Sequence, residues 1–156
     1  MPPLSVVEED FLAPVVQALL REWGRETETE FGSRPTRGSM VSPNDFEPPK
    51  GAFFVAMLSG AAVGCAGLRR LNDTEGEVKR LFVSTLARRQ GVAGVLLSAV
   101  EQRAAAVRFS SLRLDTNSDA AVALFVSLGY RPIVDYNGNP NARHWLEKRL
   151  CRPTRC

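Results

Sequence analysis

One histidine, two tyrosines and three cysteines are all that this 156-residue chain has of the side chains most used in covalent and metal chemistry. The lone His144 has no second histidine with which to share a metal. Cys65, Cys151 and Cys156 are odd in number, and no basic-then-apolar segment opens the sequence. Both features favour a reducing cytoplasm over a disulfide-built secreted domain. Cys151 and Cys156 lack two further ligands nearby, so no metal is expected. There is no internal repeat and no low-complexity segment. The formal charge of +3 is too small for a nucleic-acid surface. Gly51 to Leu68 is uncharged and just long enough for a spanning helix. Ser59-Gly60 divides that run, and Gly64 and Gly67 weaken a helix further, so it reads as a hairpin and not as a membrane segment. A P-loop would need Gly-Lys-Ser/Thr, and a dinucleotide fold would need Gly-x-Gly-x-x-Gly tight against a strand; neither is present.

What remains has the balance of a globular domain, with 44% hydrophobic and 24% charged residues. One domain is expected over residues 1–150, with a basic tail over 151–156. Acidic residues crowd the first thirty positions, whereas Arg88, Arg89 and the run from Arg143 to Arg155 concentrate positive charge. That distribution suits a local site for a phosphorylated ligand. Phe11–Trp23 carries Leu12, Val15, Val16, Leu19 and Leu20 on one helical stripe. A short helix or turn follows at Glu26–Phe31, and the prolines of Ser33–Lys50 mark a long surface loop. Ala52–Leu58, Ala61–Arg70 and Glu77–Val83 read as an antiparallel meander. Val92–Val107 is an amphipathic helix, and Leu112–Asp115 is a short strand. Ser118 caps a helix over Asp119–Leu128, stopped by Gly129, and Tyr130–Val134 and Ala142–Leu150 are closing strands. The order is that of a mixed α/β domain.

Arg88-Arg89-Gln90-Gly91-Val92-Ala93-Gly94 joins the third strand of the meander to the amphipathic helix. The first turn of any helix leaves N–H groups without partners, and the helix dipole adds partial positive charge there. Gly91 and Ala93 keep side-chain bulk away from those amides. This is the composition of a diphosphate cradle.

Glu77-Val78-Lys79-Arg80-Leu81-Phe82-Val83, then Arg88-x-x-Gly91-x-Ala93, then a strand, resembles the GNAT superfamily of acetyl-CoA-dependent N-acetyltransferases. Asn117-x-x-x-Ala121-x-x-Leu124-Phe125-x-x-x-Gly129-Tyr130 is similar to its next block. Tyr136-Asn137-Gly138-Asn139-Pro140-x-Ala142-x-His144-Trp145-Leu146-Glu147-Lys148 is similar to the close of many small bacterial members. The resemblance implies a mostly antiparallel sheet with a V-shaped splay between the fourth and fifth strands. It implies acetyl-CoA as acyl donor, an amine as acceptor, and a monomer or homodimer needing no metal, nucleic acid or membrane. Backbone groups of Leu81, Phe82 and Val83 would meet the pantetheine arm. Amides from Arg88, Arg89, Gln90, Gly91, Val92, Ala93 and Gly94 would hold the diphosphate, with Asn117 near the arm and Phe125 near the thioester.

An amine with a pKa of ~10.4 is protonated at neutral pH and needs a base before it can attack. Members of the family with a catalytic glutamate often carry it where Glu77 stands, so Glu77 is the first candidate; the plainer reading is a solvent-facing carboxylate beside Lys79. His144, with an ordinary pKa near ~6.5, is the second. Phe125 departs from the tyrosine that many relatives carry as acid, which leaves Tyr130 or Tyr136 to replace it, or a thiolate that departs unassisted. Cys65 reads as a buried inert thiol, so direct transfer in a ternary complex is expected over an acyl-cysteine route. The alternative to an enzyme is a non-catalytic acyl-CoA binding module.

Overall fold

Ser59 and Gly60 both hold positive φ, 52° and 84°. That sign pattern matches the right-handed twist of a two-residue hairpin. It folds Ala52–Leu58 (β2) back onto Ala61–Arg70 (β3) in antiparallel register. The uncharged run is therefore a hairpin, and no helix among the described residues is long and apolar enough to cross a membrane. The structure is a computed structural model that describes residues 3–31 and 40–150. Glu75–Val83 (β4) continues the meander on β3. Leu4–Glu8 (β1), too short and too weakly alternating to read from sequence, adds antiparallel to the other edge of β2. Beyond β4 come Ser111–Thr116 (β5), Arg131–Ile133 (β6) and His144–Arg149 (β7), giving one seven-stranded sheet in the order β1-β2-β3-β4-β5-β7-β6. Every pairing is antiparallel except β4–β5.

Strand alternation sorts side chains between two cores. From β2, Ala52, Phe54 and Ala56 point to one face, where they meet Leu96, Leu97 and Val100 of Val92–Ala106 (α2) and Phe125 of Asp119–Ser127 (α3). Phe53 and Val55 point to the other, where they meet Val16 and Leu19 of Pro14–Phe31 (α1). The helix α1 runs unbroken through both segments expected at Phe11–Trp23 and Glu26–Phe31, but it begins at Pro14. Phe11 lies before it and stacks on Phe46 with centroids 4.8 Å apart. Phe46 itself is only 4% exposed. The expected surface loop is thus partly a core element: Pro43–Phe46 forms a tight helical turn whose last residue fills the α1 face, while residues 33–39 of that loop lie outside the described residues.

Candidate active site

The cleft at the centre of the molecule exists because two strands part. β4 and β5 pair for only three residues each, from Glu75–Ser111 to Glu77–Arg113. Beyond that point Val78–Val83 keeps β3 as its neighbour on one side and has no strand on the other. This is the V-shaped splay between the fourth and fifth strands, with β1 added, of the fold the sequence implied. Between the diverging strands lies a cavity of about 740 Å³, within the range of about 300–1,000 Å³ usual for small-molecule sites. Leu81, Phe82, Val83, Arg88, Arg89, Gly91, Val92, Ala93, Gly94, Asn117 and Phe125 all line it. Gln90 does not; its side-chain amide donates back to the Leu86 carbonyl at 3.3 Å.

At one end the cleft meets the start of α2. The residue before the helix is Gly91, held at φ 80° and ψ 10° with no side chain to cap the first turn. The first helical bond runs from the Val95 N–H to the Gly91 carbonyl, so the amides of Val92, Ala93 and Gly94 precede the ladder. A Cβ built on Gly91 would meet no heavy atom within 4 Å. Open space, unpaired amides and the positive end of a 15-residue helix together suit a diphosphate. Arg88 reinforces the corner structurally: it ion-pairs with Glu26 of α1 and donates to the Val83 carbonyl at 3.0 Å.

At the other end a buried polar network replaces the open cradle. The pairings Arg69–Glu77 across β3–β4 and Glu77–Arg113 across β4–β5 put these side chains on one sheet face. Lys79 and Asp115, two residues further along each strand, share that face. Glu77 is wholly buried. It accepts from Arg69 at 2.7 and 3.1 Å, from the Tyr136 hydroxyl at 2.5 Å and from the Asn137 amide at 3.3 Å. The Lys79 ammonium lies 3.6 Å from Glu77 and 3.5 Å from Asp115. Asp115 Oδ2 also accepts from Asn137 at 2.5 Å and from Asn139 at 3.4 Å. The Trp145 indole N–H fixes Asn137 in turn, donating to its Oδ1 at 3.0 Å. Three contacts thus converge on one Asp115 oxygen, and Oδ1 has no protein partner among the described residues. Lys79, Asp115 and Asn139 line the cleft; Glu77 and Tyr136 stand behind them.

Glu77 therefore anchors the network, and removing its charge leaves Arg69 with only Asp45 and Lys79 with only Asp115 as counter-ions. Breaking a buried pair from one side typically costs about 3–5 kcal/mol. Glu77→Gln is accordingly expected to lower unfolding stability by about 3 kcal/mol, read as a shift of the urea midpoint. An unchanged midpoint would show that Glu77 is not the anchor.

Two expected catalytic residues join neither the cleft nor the polar network behind it. Tyr130 is 2% exposed, and its hydroxyl donates to Glu101 at 3.0 Å on the α2 side; burial first, then Glu101, raises its pKa above that of an ordinary phenol. His144 Nε2 lies 2.7 Å from Asp119 in the first turn of α3, an exposed pairing that does not line the cavity. Tyr136 does join the network, but burial first and then Glu77 raise its pKa, so it donates a hydrogen bond and holds its proton. Cys65 is wholly buried, and burial pushes its thiol up to about 12. A thiol in that state is a poor nucleophile. Among the described residues no cluster of His, Cys, Asp and Glu could hold a metal; Cys151 and Cys156 lie outside the described residues.

Sequence reasoning passed over Asp115, Lys79 and Arg69 as site residues. The signal was available: once β4 and β5 are neighbours, alternation puts all of them with Glu77 on the α1 face. Arg80 was missed for another reason, a one-residue slip in the β3–β4 register between Cys65 and Gly67. Arg80 holds φ 59° at that slip, and bulges of this kind re-aim side chains beside functional sites.

Comparison with known proteins bears on this arrangement. Residues 15–130 match the Acetyltransferase (GNAT) family. An IAA acetyltransferase from Azospirillum brasilense is 30% identical over 148 residues, covering 90% of this chain and 94% of the relative. The fold matches that of an acetyltransferase from Streptococcus agalactiae with a TM-score of 0.78 at 20% identity, covering 94% and 98% of the two chains. It also matches a GNAT family acetyltransferase from Elizabethkingia anophelis with acetyl-CoA bound, with a TM-score of 0.63 at 17% identity and coverage of 94% and 98%. With the splayed sheet and the uncapped helix already in place, the family match over most of the chain settles its membership: this chain belongs to the GNAT family of acetyltransferases.

Proposed function

We propose that this acetyltransferase moves the acetyl group of acetyl-CoA directly onto a primary amine, with both substrates bound at once. The observation that carries the reading is the parting of β4 from β5 beside the bare start of α2. Acetyl-CoA supplies an activated thioester, and the acetyl-CoA present in the structure from Elizabethkingia anophelis supports it as donor. The amides of Val92, Ala93 and Gly94 would hold its diphosphate, with Arg89 adding charge at the exposed corner. The unpaired edge of β4 at Leu81, Phe82 and Val83 would accept the pantetheine arm as an added strand does. Phe125 and Asn117 close the opposite wall.

Glu77, with every contact internal, serves better as a positioning residue than as the base. The base in this reading is Asp115, which lines the cleft and whose Oδ2 is pinned by Lys79, Asn137 and Asn139 while Oδ1 has no protein partner among the described residues. It takes a proton from the acceptor ammonium, directly or through one water. The freed nitrogen bonds to the acetyl carbon, the electron pair of the broken C–S bond leaves with sulfur, and the second proton that the nitrogen must shed to become a neutral amide passes to the departing thiolate or to water. A backbone N–H of Phe82 or Val83 would steady the carbonyl oxygen as it takes up charge. No acid need follow. Tyr130 and Tyr136 are both committed elsewhere, and a thiol with a pKa of ~8.5 leaves readily as thiolate.

The test is release of free CoA from acetyl-CoA across a broad panel of amines and peptides. Amine-dependent release with one acetyl-amine formed per CoA is the expected result. Tight acetyl-CoA binding with no release on any amine would instead mark a binding module.

A further inference from the structure

Three cations around the cleft already have their anions. Arg69 is held by Glu77 and Asp45, Lys79 by Glu77 and Asp115, and Arg88 by Glu26. Arg80 lines the same cavity and has no carboxylate or carbonyl partner among the described residues. It stacks on the ring of Trp23, with the guanidinium carbon 4.8 Å from the centroid. Stacking of that kind orients the planar fork without using any of its N–H donors.

The position is also built at a cost. A non-glycine residue at φ 59° is strained, and in the middle of a strand such strain persists only where the surroundings enforce it. The β3–β4 slip is what turns Arg80 here. Burial first, and then the neighbouring Arg69, pull its pKa below the ordinary arginine value, with Asp115 acting in the opposite direction. Arginine remains charged under all such shifts, so the β4 wall of the cleft presents a half-buried, oriented fork with no hydrogen-bonded or ion-pair partner among the described residues, across the splay from Asp115 on β5.

We propose that Arg80 receives a carboxylate of the acceptor, so that the amine acetylated here belongs to a free amino acid. The fork geometry matches a carboxylate with two parallel N–H···O bonds. Asp115 then meets the amino group of the same molecule. This inference rests on the amine-transfer reading above and narrows it to one class of acceptor.

The experiment compares kcat/KM for free α-amino acids with that for their C-terminal amides, each with saturating acetyl-CoA, in the wild type, Arg80→Met and Arg80→Lys. The wild type is expected to favour the acids by about 10- to 100-fold, the worth of one charged hydrogen-bonded contact. Arg80→Met should abolish that preference, and Arg80→Lys, which keeps the charge but not the fork, should leave part of it. Acetyl-CoA affinity, measured by calorimetry, should be the same in all three. Equal rates on acids and amides, or a preference for amides, overturn the proposal while leaving amine transfer intact. A fall in acetyl-CoA affinity in Arg80→Met would reassign the fork to the donor and overturn it too. Where Arg80→Met does not fold, the acid-to-amide ratio of the wild type and Arg80→Lys decides. CoA release on no member of either arm, with acetyl-CoA bound, removes the amine-transfer reading itself and this inference with it.

Discussion

Gly91→Glu is expected to abolish acetyl-CoA binding and to leave the fold standing. The two halves of that expectation have separate causes. Space is not the issue, because a Cβ at Gly91 meets nothing within 4 Å. The backbone at φ 80° disfavours any L side chain, which costs of order 1–2 kcal/mol. Part of that is offset, since a carboxylate before a helix is favourable to the helix itself. The new carboxylate does so by occupying the amides of Val92–Gly94, and a diphosphate arriving there meets both a filled cradle and a like charge. The affinity loss should exceed about 100-fold, or about 2.8 kcal/mol at ~1.4 kcal/mol per factor of ten. Calorimetry reads it directly. Gly91→Ala separates the causes: it carries the same backbone strain without the charge, and should keep affinity within about tenfold of the wild type. Equal losses in the two variants would mean that strain, and not occupation of the helix mouth, governs binding.

Asp115→Asn is the second large effect, and it falls on the chemical step alone. The substitution is nearly isosteric and can still accept from Asn137, so the loop keeps its main tie. What it removes is the carboxylate charge that would take the acceptor's proton. Loss of a positioned general base costs about 10²–10⁴ in rate, and kcat should fall by that order, while the dissociation constant for acetyl-CoA, bound at the far end of the cleft, stays within about threefold. A kcat close to the wild-type value would remove Asp115 from proton transfer. A parallel collapse of acetyl-CoA affinity would show instead that the network holds the cleft open.

These two residues also mark how far the sequence could be read. The Gly91 half of the cleft is local. Seven consecutive residues, Arg88 to Gly94, contain the glycine, the small residue and the helix start, so the physics of an uncapped helix end is visible in the string. The same holds for the hairpin, where Ser59-Gly60 shows its turn directly. The Asp115 half is assembled from distant strands. Arg69 reaches Glu77 across β3–β4, Lys79 reaches Asp115 across the opening of the splay, and Asn137 and Asn139 arrive from the loop before β7. None of these distances is written in local spacing. Glu77 could be singled out as chemically important, but its burial follows from a cross-strand arginine and a tyrosine 59 positions away. His144 and Tyr130 drew attention for their chemistry and were diverted by neighbours, Asp119 and Glu101, that no local pattern exposes. The bulge at Arg80 is harder still, because a register slip of one residue leaves the hydrophobic pattern of β4 almost unchanged. The edge strand β1 escapes for a related reason: Leu4–Glu8 becomes a strand only through its pairing with β2.

The measurement that bears most directly on the account is a crystal structure of the chain grown with excess acetyl-CoA. The diphosphate oxygens should lie about 2.7–3.2 Å from the amide nitrogens of Val92, Ala93 and Gly94, with the pantetheine arm running along Leu81–Val83 between β4 and β5. Coenzyme bound anywhere else, with those three amides left facing solvent, would contradict it.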